Sequence, residues 1–280
     1  MTRHHLQVGP HTLYLDQRTH IMGILNATPD SFSDGGKFNQ VDHAIDRVSQ
    51  MIKEGADIID IGGESTRPGA PKVELEEELE RVLPVVEAIS SRFSIPLSID
   101  TYKAEVAKQA IAKGAHIIND VWGAKADPQM AQVAAQTNSP IILMHNRSDR
   151  NYGDFMADAK QDLQDSIRIV QQAGVENRHI ILDPGIGFAK SYSQNLMMMR
   201  NLNQLVEMGY PVLLGTSRKS MIGNTLQLPP EERVEGTVAT VCLGIQLGCS
   251  IVRVHDVLAV SRAAKMMDAM LGKEVLVNHG

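Results

Sequence analysis

The feature that most constrains this chain is an alternation, repeated eight times, of a short β-rich run with a longer amphipathic stretch. The expected strands are His20–Asn26, Asp57–Gly62, Pro96–Thr101, His116–Asn119, Pro140–His145, His179–Asp183, Pro211–Gly215 and Ser250–Val254. Helical stretches lie between them, among them Val41–Glu54, Val73–Ser91, Lys103–Lys113, Asp158–Ala173 and Glu231–Leu247, and a last helix covers Val257–Leu271. Strands joined in this way run parallel through crossover helices. Eight such units in 280 residues predict an α/β fold closed into a (β/α)8 barrel, not an open sheet. Gly55, Gly114, Gly174 and Gly248 stand near helix ends before strands, where a left-handed C-cap is useful. Upstream, Leu6 to Asp16 alternates apolar and polar residues around Gly9-Pro10. It reads as a short N-terminal β-hairpin that plugs the barrel's N-terminal end.

No linker or composition break interrupts the pattern, so residues 1–280 read as one domain. With 43% apolar residues, a chain this long buries a core without disulfide or metal staples. The net charge of −6 argues against non-specific nucleic-acid binding. No apolar run is long enough to span a bilayer, and Met1 to Pro10 lacks the apolar segment of a secretory signal. Cys242 and Cys249 lie seven apart in one apolar stretch without further zinc ligands nearby. Two reduced, buried thiols in a cytoplasmic protein are expected.

Two local features tempt a functional reading and have simpler ones. The acidic run Glu74–Glu80 lies near a helix start, where the macrodipole favours carboxylates. Leu75, Leu79, Val82 and Val86 supply the apolar stripe, so most of the acids should face water. Met197–Met199 is expected to fill core.

In a β/α barrel the chemistry sits on loops after the strands' C-terminal ends. The unusual residues collect there. Strand one leads into Asn26-Ala27-Thr28-Pro29-Asp30-Ser31-Phe32-Ser33-Asp34-Gly35-Gly36, and strand two into Gly62-Gly63-Glu64-Ser65-Thr66-Arg67-Pro68-Gly69. Strands three and four end at Asp100-Thr101 and Asn119-Asp120. Strand five ends in Met144-His145-Asn146, and strand six in Asp183-Pro184-Gly185-Ile186-Gly187-Phe188. Strands seven and eight lead into Gly215-Thr216-Ser217-Arg218-Lys219-Ser220 and Arg253-Val254-His255-Asp256. Singly, each has a plain explanation: Asp-Pro-Gly makes turns, and Ser217 or Ser220 could cap a helix. Together, at one end of eight strands, they describe one site.

Chemically the set suits an anionic, planar, polar substrate. Arg67, Lys219, Arg253 and His255 are cationic, and the loop after strand seven can present amides to an anion. Asp100, Asn119 and Asp183 offer acceptors, and a carboxylate takes two parallel hydrogen bonds from an N–C–N edge. The chain has no nucleophile elbow and no HExxH pair. A phosphate-type anion joined to a heterocycle is as far as the residues lead unaided.

These motifs together resemble the dihydropteroate synthases over nearly the whole chain. The loops beginning at Asn26 and Gly62 are specific to that family. Ile99-Asp100-Thr101, Ile118-Asn119-Asp120, Asp183–Phe188, Ser217–Ser220 and Arg253–Asp256 are shared with related pterin-binding barrels. The resemblance implies joining of an activated dihydropterin to p-aminobenzoate with release of pyrophosphate. It implies a pterin pocket of Asp100, Asn119, Met144, Asp183, Gly215, Lys219 and Arg253, with Asp183 on the aminopyrimidine edge and Arg253 stacked on the ring. It assigns the diphosphate to Asn26, Arg67, Arg253 and His255, with Mg²⁺ held through the Asn26 side-chain oxygen. It places p-aminobenzoate against Phe32, Thr66, Pro68, Phe188, Lys219 and Ser220, and gives Asp34 a part in loop closure. Asp100, Lys219, Arg253 and His255 are the expected catalytic set, and a homodimer is the family's usual assembly. Two rivals share parts of this pattern. A methyltetrahydrofolate-dependent methyltransferase would share Asp100, Asn119 and Asp183 but has no use for Arg67 and Lys219. A non-catalytic homologue would not be expected to keep Asn26, Arg67, Lys219 and His255. The polar segment Asn146–Tyr152 fits no ligand and reads as a solvated loop.

Overall fold

A computed structural model describes residues 5–27, 37–64 and 72–273. Two short strands, β1 (His5–Val8) and β2 (His11–Tyr14), pair antiparallel around Gly9-Pro10. The chain then alternates strand and helix: β3 (His20–Asn26), α1 (Lys37–Glu54), β4 (Ile58–Gly62), α2 (Leu75–Arg92), β5 (Leu97–Asp100), α3 (Ala104–Ala112) and β6 (Ile117–Asp120). There follow α4 (Met130–Thr137), β7 (Ile141–Met144), α5 (Phe155–Gln172), β8 (Ile180–Asp183), α6 (Tyr192–Arg200), α7 (Asn203–Val206) and β9 (Leu213–Leu214). Helices α8 (Ser220–Leu226) and α9 (Val234–Gln246), strand β10 (Ile251–Val254) and helix α10 (Val257–Met270) complete it.

The eight strands β3–β10 are parallel, in the order β8-β7-β6-β5-β4-β3-β10-β9. The ring closes where Leu182 bridges Val212 and its N–H donates to the Pro211 carbonyl at 2.9 Å. The expected (β/α)8 barrel is therefore the observed fold. Several strands begin one or two residues late, for a backbone reason. Pro96, Pro140 and Pro211 have no N–H to give a ladder, yet their carbonyls accept from Ile59, Ile118 and Leu182 on the neighbouring strands.

Side chains alternate across each strand, because successive Cβ atoms point to opposite faces. Outward residues such as Ile59, Ile61, Ile99, Ile118, Leu143, Leu182 and Val252 join the helices in one large core. Inward residues Met22, Ile58, Ile117, Ile142, Ile181, Leu213 and Ile251 form a separate apolar layer with Leu6, Val8, Leu13 and Leu15 of the hairpin. The hairpin thus stoppers the barrel's N-terminal end, as its alternation implied. Ligand access is left to the opposite end.

Gly55, Gly114, Gly174 and Gly248 all adopt positive φ at helix ends, as expected. Helices α4, α6, α7 and α8 were not anticipated as separate elements. They are short, with too few turns for an apolar stripe to repeat, although Ser191 and Gln194 form a complete capping box before α6. The acidic run on α2 departs from the solvated reading at one position. Glu78 is buried and accepts from Lys103, which also donates to Glu64 at 2.6 Å, while Glu74, Glu76, Glu77 and Glu80 are exposed. Of the methionine triplet, Met198 and Met199 are buried as expected and Met197 is exposed. Cys242 and Cys249 are free thiols, but only Cys249 is buried. Among the described residues, no helix is long and apolar enough to cross a membrane.

Candidate active site

The site follows from the two-residue period of the strands. Two positions beyond the apolar layer, six of the strands present a different residue to the same interior. Ile58 gives way to Asp60, Ile117 to Asn119, Ile142 to Met144, Ile181 to Asp183, Leu213 to Gly215 and Ile251 to Arg253. Asp100 joins them at the end of β5, level with Gly62 on one side and Asn119 on the other. Met144 is level with Asp183. A mouth of polar groups therefore stands on a closed apolar floor.

Arg253 is its hub. Its Nε donates to Asp60 Oδ2 at 2.6 Å and its Nη2 to Asp100 Oδ2 at 2.6 Å, while Asn119 Nδ2 donates to Asp60 Oδ2 at 3.1 Å. Burial opposes the charge on Arg253, but the two carboxylates outweigh it and raise its pKa. Burial pushes the Asp100 carboxyl up to about 7; Arg253 pulls it down, and Asp60 pushes it further up. The Oδ1 atoms of Asp60 and Asp100 are buried without a hydrogen-bond partner among the described residues. Such acceptors are stable only if something donates to them. The interior is thus equipped to receive N–H groups.

Asp183 is buried at the end of β8. Its Oδ1 accepts from the Gly185 amide at 2.7 Å, and its Oδ2 turns toward the inner face beside Gly215. Burial raises its pKa, against the pull of Lys219. Lys219 reaches back to the Ile186 carbonyl, and its ammonium sits 4.5 Å from the Phe188 ring centroid. Burial lowers the Lys219 pKa to about 8, countered by Asp183. Lys219 and Arg253 therefore flank the acceptors from the β9 and β10 sides.

His255 lies on the loop after β10. Its Nδ1 bonds Ser217 Oγ at 2.9 Å, the same Oγ accepts from the His255 amide at 3.1 Å, and its carbonyl accepts from Arg47 at 3.1 Å. Arg218, with φ of 58°, grips Asp256 through two nitrogens and donates its amide to Thr237. The β9 and β10 loops are laced together in this way. Neither Ser217 nor Ser220 caps α8 with its side chain, contrary to the capping alternative: Ser217 serves His255, and exposed Ser220 is the helix's first residue.

Asn26 is exposed at the end of β3, level with Gly62. Among the described residues, no group of three His, Cys, Asp or Glu side chains could hold a metal by itself. The Asn26 amide offers one hard but neutral oxygen at an open rim, so a Mg²⁺ held there would depend on a substrate's phosphate oxygens for most of its ligands. Phe32, Asp34, Thr66, Arg67 and Pro68 lie outside the described residues. Beside Ser220 and Gly187 opens a cleft of about 450 Å³, reaching Tyr192, Met221 and Arg150. A second, of about 350 Å³ at the hairpin end by Gly9, His116 and His179, contains none of the loop motifs.

Asp60 was missed from sequence. It interrupts the apolar run Ile58–Ile61, and counting back two from Gly62 would have placed it inside the barrel. The segment Asn146–Tyr152 is solvated only in its middle. Asn146 is buried and donates to the Val121 carbonyl, Arg147 pairs with Asp162 at 2.5 Å, and the Tyr152 hydroxyl donates to the Ala189 carbonyl at 2.9 Å. Lys190, also unremarked in the sequence, is buried nearby.

The chain is similar to known proteins over nearly its whole length. The model of the family described as pterin binding enzyme matches residues 22–255. The dihydropteroate synthase of Bacillus subtilis (strain 168) is 59% identical over 275 residues, covering 98% of this chain and 96% of that one. A structure of the Clostridium difficile dihydropteroate synthase in the presence of pteroic acid superposes with a TM-score of 0.90 at 50% identity, covering 92% of this chain and 98% of the other. The Xanthomonas albilineans enzyme with 4-aminobenzoic acid gives 0.92 at 43% identity, covering 96% and 99%. The chain belongs to the dihydropteroate synthase family of pterin-binding enzymes.

Proposed function

We propose that this protein joins 6-hydroxymethyl-7,8-dihydropterin pyrophosphate to p-aminobenzoate, forming 7,8-dihydropteroate and pyrophosphate. The observation that carries this is the meeting of Asp100, Asn119 and Asp183 with Lys219, Arg253 and His255 at one rim of the barrel. A methyltransferase would have no use for Arg67 and Lys219.

In this reading the pterin enters edge first. Asp183 accepts from its aminopyrimidine edge, Asp100 and Asn119 meet the far side, Met144 and Gly215 line the walls, and Arg253 lies on the ring face. Asp60 fixes the Arg253 guanidinium by accepting from its Nε. The amine nitrogen of p-aminobenzoate attacks the pterin methylene carbon, the bond from that carbon to the diphosphate oxygen breaks, and one proton leaves the new secondary amine. A neutral arylamine already presents its lone pair at pH 7, so no strong base is needed. The demanding event is departure of the anion. Arg67, Arg253 and His255 stabilise the charge where it develops. Asn26 would hold Mg²⁺, which when bound supplies charge neutralisation to the diphosphate. Ionised Asp100 favours positive charge on the methylene as the bond lengthens. Phe188, Lys219 and Ser220, with Phe32, Thr66 and Pro68, receive the arylamine and its carboxylate, and Asp34 belongs to the loop that shuts out water.

Cys242 and Cys249, which form no disulfide, support a cytoplasmic setting. Exposed Leu243 on α9 and Leu258, Met266 and Met270 on α10 support a homodimer through the C-terminal helices. The function is tested by incubating the protein with pterin pyrophosphate, Mg²⁺ and p-aminobenzoate. Equal amounts of pyrophosphate and dihydropteroate are expected, each requiring all components. Pyrophosphate released at the same rate without the arylamine would defeat the reading.

A further inference from the structure

The loop from Asp183 to Lys190 carries three parts of the site: the Asp183 carboxylate, the Ile186 carbonyl that holds Lys219, and the Phe188 ring beneath that ammonium. Its backbone turns through left-handed conformations, one of them at a residue other than glycine. Gly185 has φ of 64° and passes so close to His145 that an added Cβ would stand 2.0 Å from its carbonyl oxygen. Ala189, which is not glycine, has φ of 46°. Backbone of this kind persists only where the surroundings over-determine it.

What over-determines it is the buried amine of Lys190, whose pKa burial lowers to about 7. Lys190 Nζ meets the Gly185 carbonyl at 2.9 Å, the Phe188 carbonyl at 3.0 Å and His145 Nδ1 at 2.7 Å. A longer contact reaches the His145 carbonyl at 3.5 Å, and the three short ones match the three N–H donors of the protonated amine. For Nδ1 to accept, His145 must be neutral with its proton on Nε2, and Nε2 faces Asp162 Oδ2 at 3.0 Å. Burial lowers the His145 pKa to about 4, which keeps the ring in that neutral form. Arg147 fixes Asp162 from the other side, and Tyr152 ties the Ala189 carbonyl directly. The chain Arg147–Asp162–His145–Lys190 thus runs from the 146–152 segment into the loop. Neither Lys190 nor Tyr152 belongs to the set that contacts substrate in the reading above.

We propose that Lys190 and Tyr152 are positioning residues for the arylamine half of the site, bracing the Asp183–Lys190 loop so that Phe188 and Lys219 stand ready for p-aminobenzoate. This rests on the synthase reading for its catalytic consequence, but not for the bracing itself. The brace is strongest at Gly185–Ala189, beyond Asp183, and Asp183 is itself fixed by its strand and the Gly185 amide. The arylamine should therefore feel its loss more than the pterin does.

Two variants and two readouts test this. Lys190→Met keeps the length and apolar bulk of the side chain while removing all three donors. Tyr152→Phe removes one hydroxyl from a half-buried ring and leaves the fold intact. Amide hydrogen exchange over residues 183–190 should accelerate in both, while exchange in β3 to β6 stays as in the parent. In steady-state assays the KM for p-aminobenzoate should rise roughly tenfold or more in Lys190→Met, as expected when several hydrogen bonds to buried acceptors are lost together, and about two- to threefold in Tyr152→Phe. The KM for the pterin and the kcat at saturating arylamine should stay within about twofold, a split that general destabilisation would not produce. Unchanged exchange over 183–190 in Tyr152→Phe overturns the brace, whether or not Lys190→Met folds and whether or not the parent makes dihydropteroate. Faster exchange with a loss confined to pterin affinity overturns the assignment to the arylamine half.

Discussion

At the scale of single residues, the site depends on which groups accept and which carry charge. Asp183→Asn places an NH₂ where only acceptors fit. Calorimetry with the pterin should show affinity falling by roughly two orders of magnitude or more, since each hydrogen bond to a charged group contributes about 1.5–3 kcal/mol. Near-parental affinity would remove Asp183 from the pocket. Arg253→Ala should weaken both pterin and pyrophosphate, because the proposed function gives the guanidinium both the ring and the diphosphate. A loss confined to p-aminobenzoate would mean the two halves are exchanged. The pH dependence follows from opposite effects of burial on an acid and a base. Asp100, raised to about 7, ionises as pH climbs through that value, and Lys219, lowered to about 8, loses its charge just above it. The profile of kcat/KM should therefore be a narrow bell with limbs near those values, and Asp100→Asn should remove the acid limb. For stability the sign runs the other way. The fold holds the Asp100 proton more tightly than the unfolded chain, so stability from this group is complete in acid and lost as pH rises through about 7. Asp100, Asn119, Asp183, Lys219, Arg253 and His255 were legible in sequence because each ends a strand or opens the loop beyond it. Asp60 and Lys190 were not. One sits within an apolar run, the other follows a turn motif, and what marks both is burial, which sequence does not display.

At the scale of elements, the barrel is organised by inner-face alternation, and the hairpin completes it. Leu6, 1% exposed, lies in the apolar layer at the closed end with Leu13 and Ile251. Leu6→Ala should lower the unfolding free energy in urea by about 2–5 kcal/mol while leaving the KM values in place, because the cavity opens at the end remote from the site. A shift in KM without loss of stability would contradict the separation of floor from mouth. Asp154 accepts from the Ala157 amide at the start of α5, and Asp154→Ala should cost about 1 kcal/mol. The longer helices were legible because an apolar stripe repeats over several turns, as Val82, Val86 and Ile89 do on α2. Helices α7 and α8 are too short to repeat one, and are set by the loops they terminate. Glu78 shows the same limit from the other side. Its place in an acidic run points to water, yet Lys103 draws it into the protein and links α2 to the loop after β4 through Glu64.

At the scale of the whole molecule, strand order and closure bring groups far apart in sequence to one mouth. Arg253 meets Asp60 across 193 positions and Asp100 across 153, because β10 closes beside β3 and the ring continues through β4 to β5. Sequence implied this convergence through eight motifs at equivalent places, but not which side chains would touch. The most direct measurement is a crystal structure of the protein with pterin pyrophosphate. The account requires the heterocycle at the C-terminal mouth, its aminopyrimidine edge on Asp183 and its diphosphate toward His255 and Asn26. A ligand seated at the hairpin end, or one whose heterocycle makes no contact with Asp183, would contradict it.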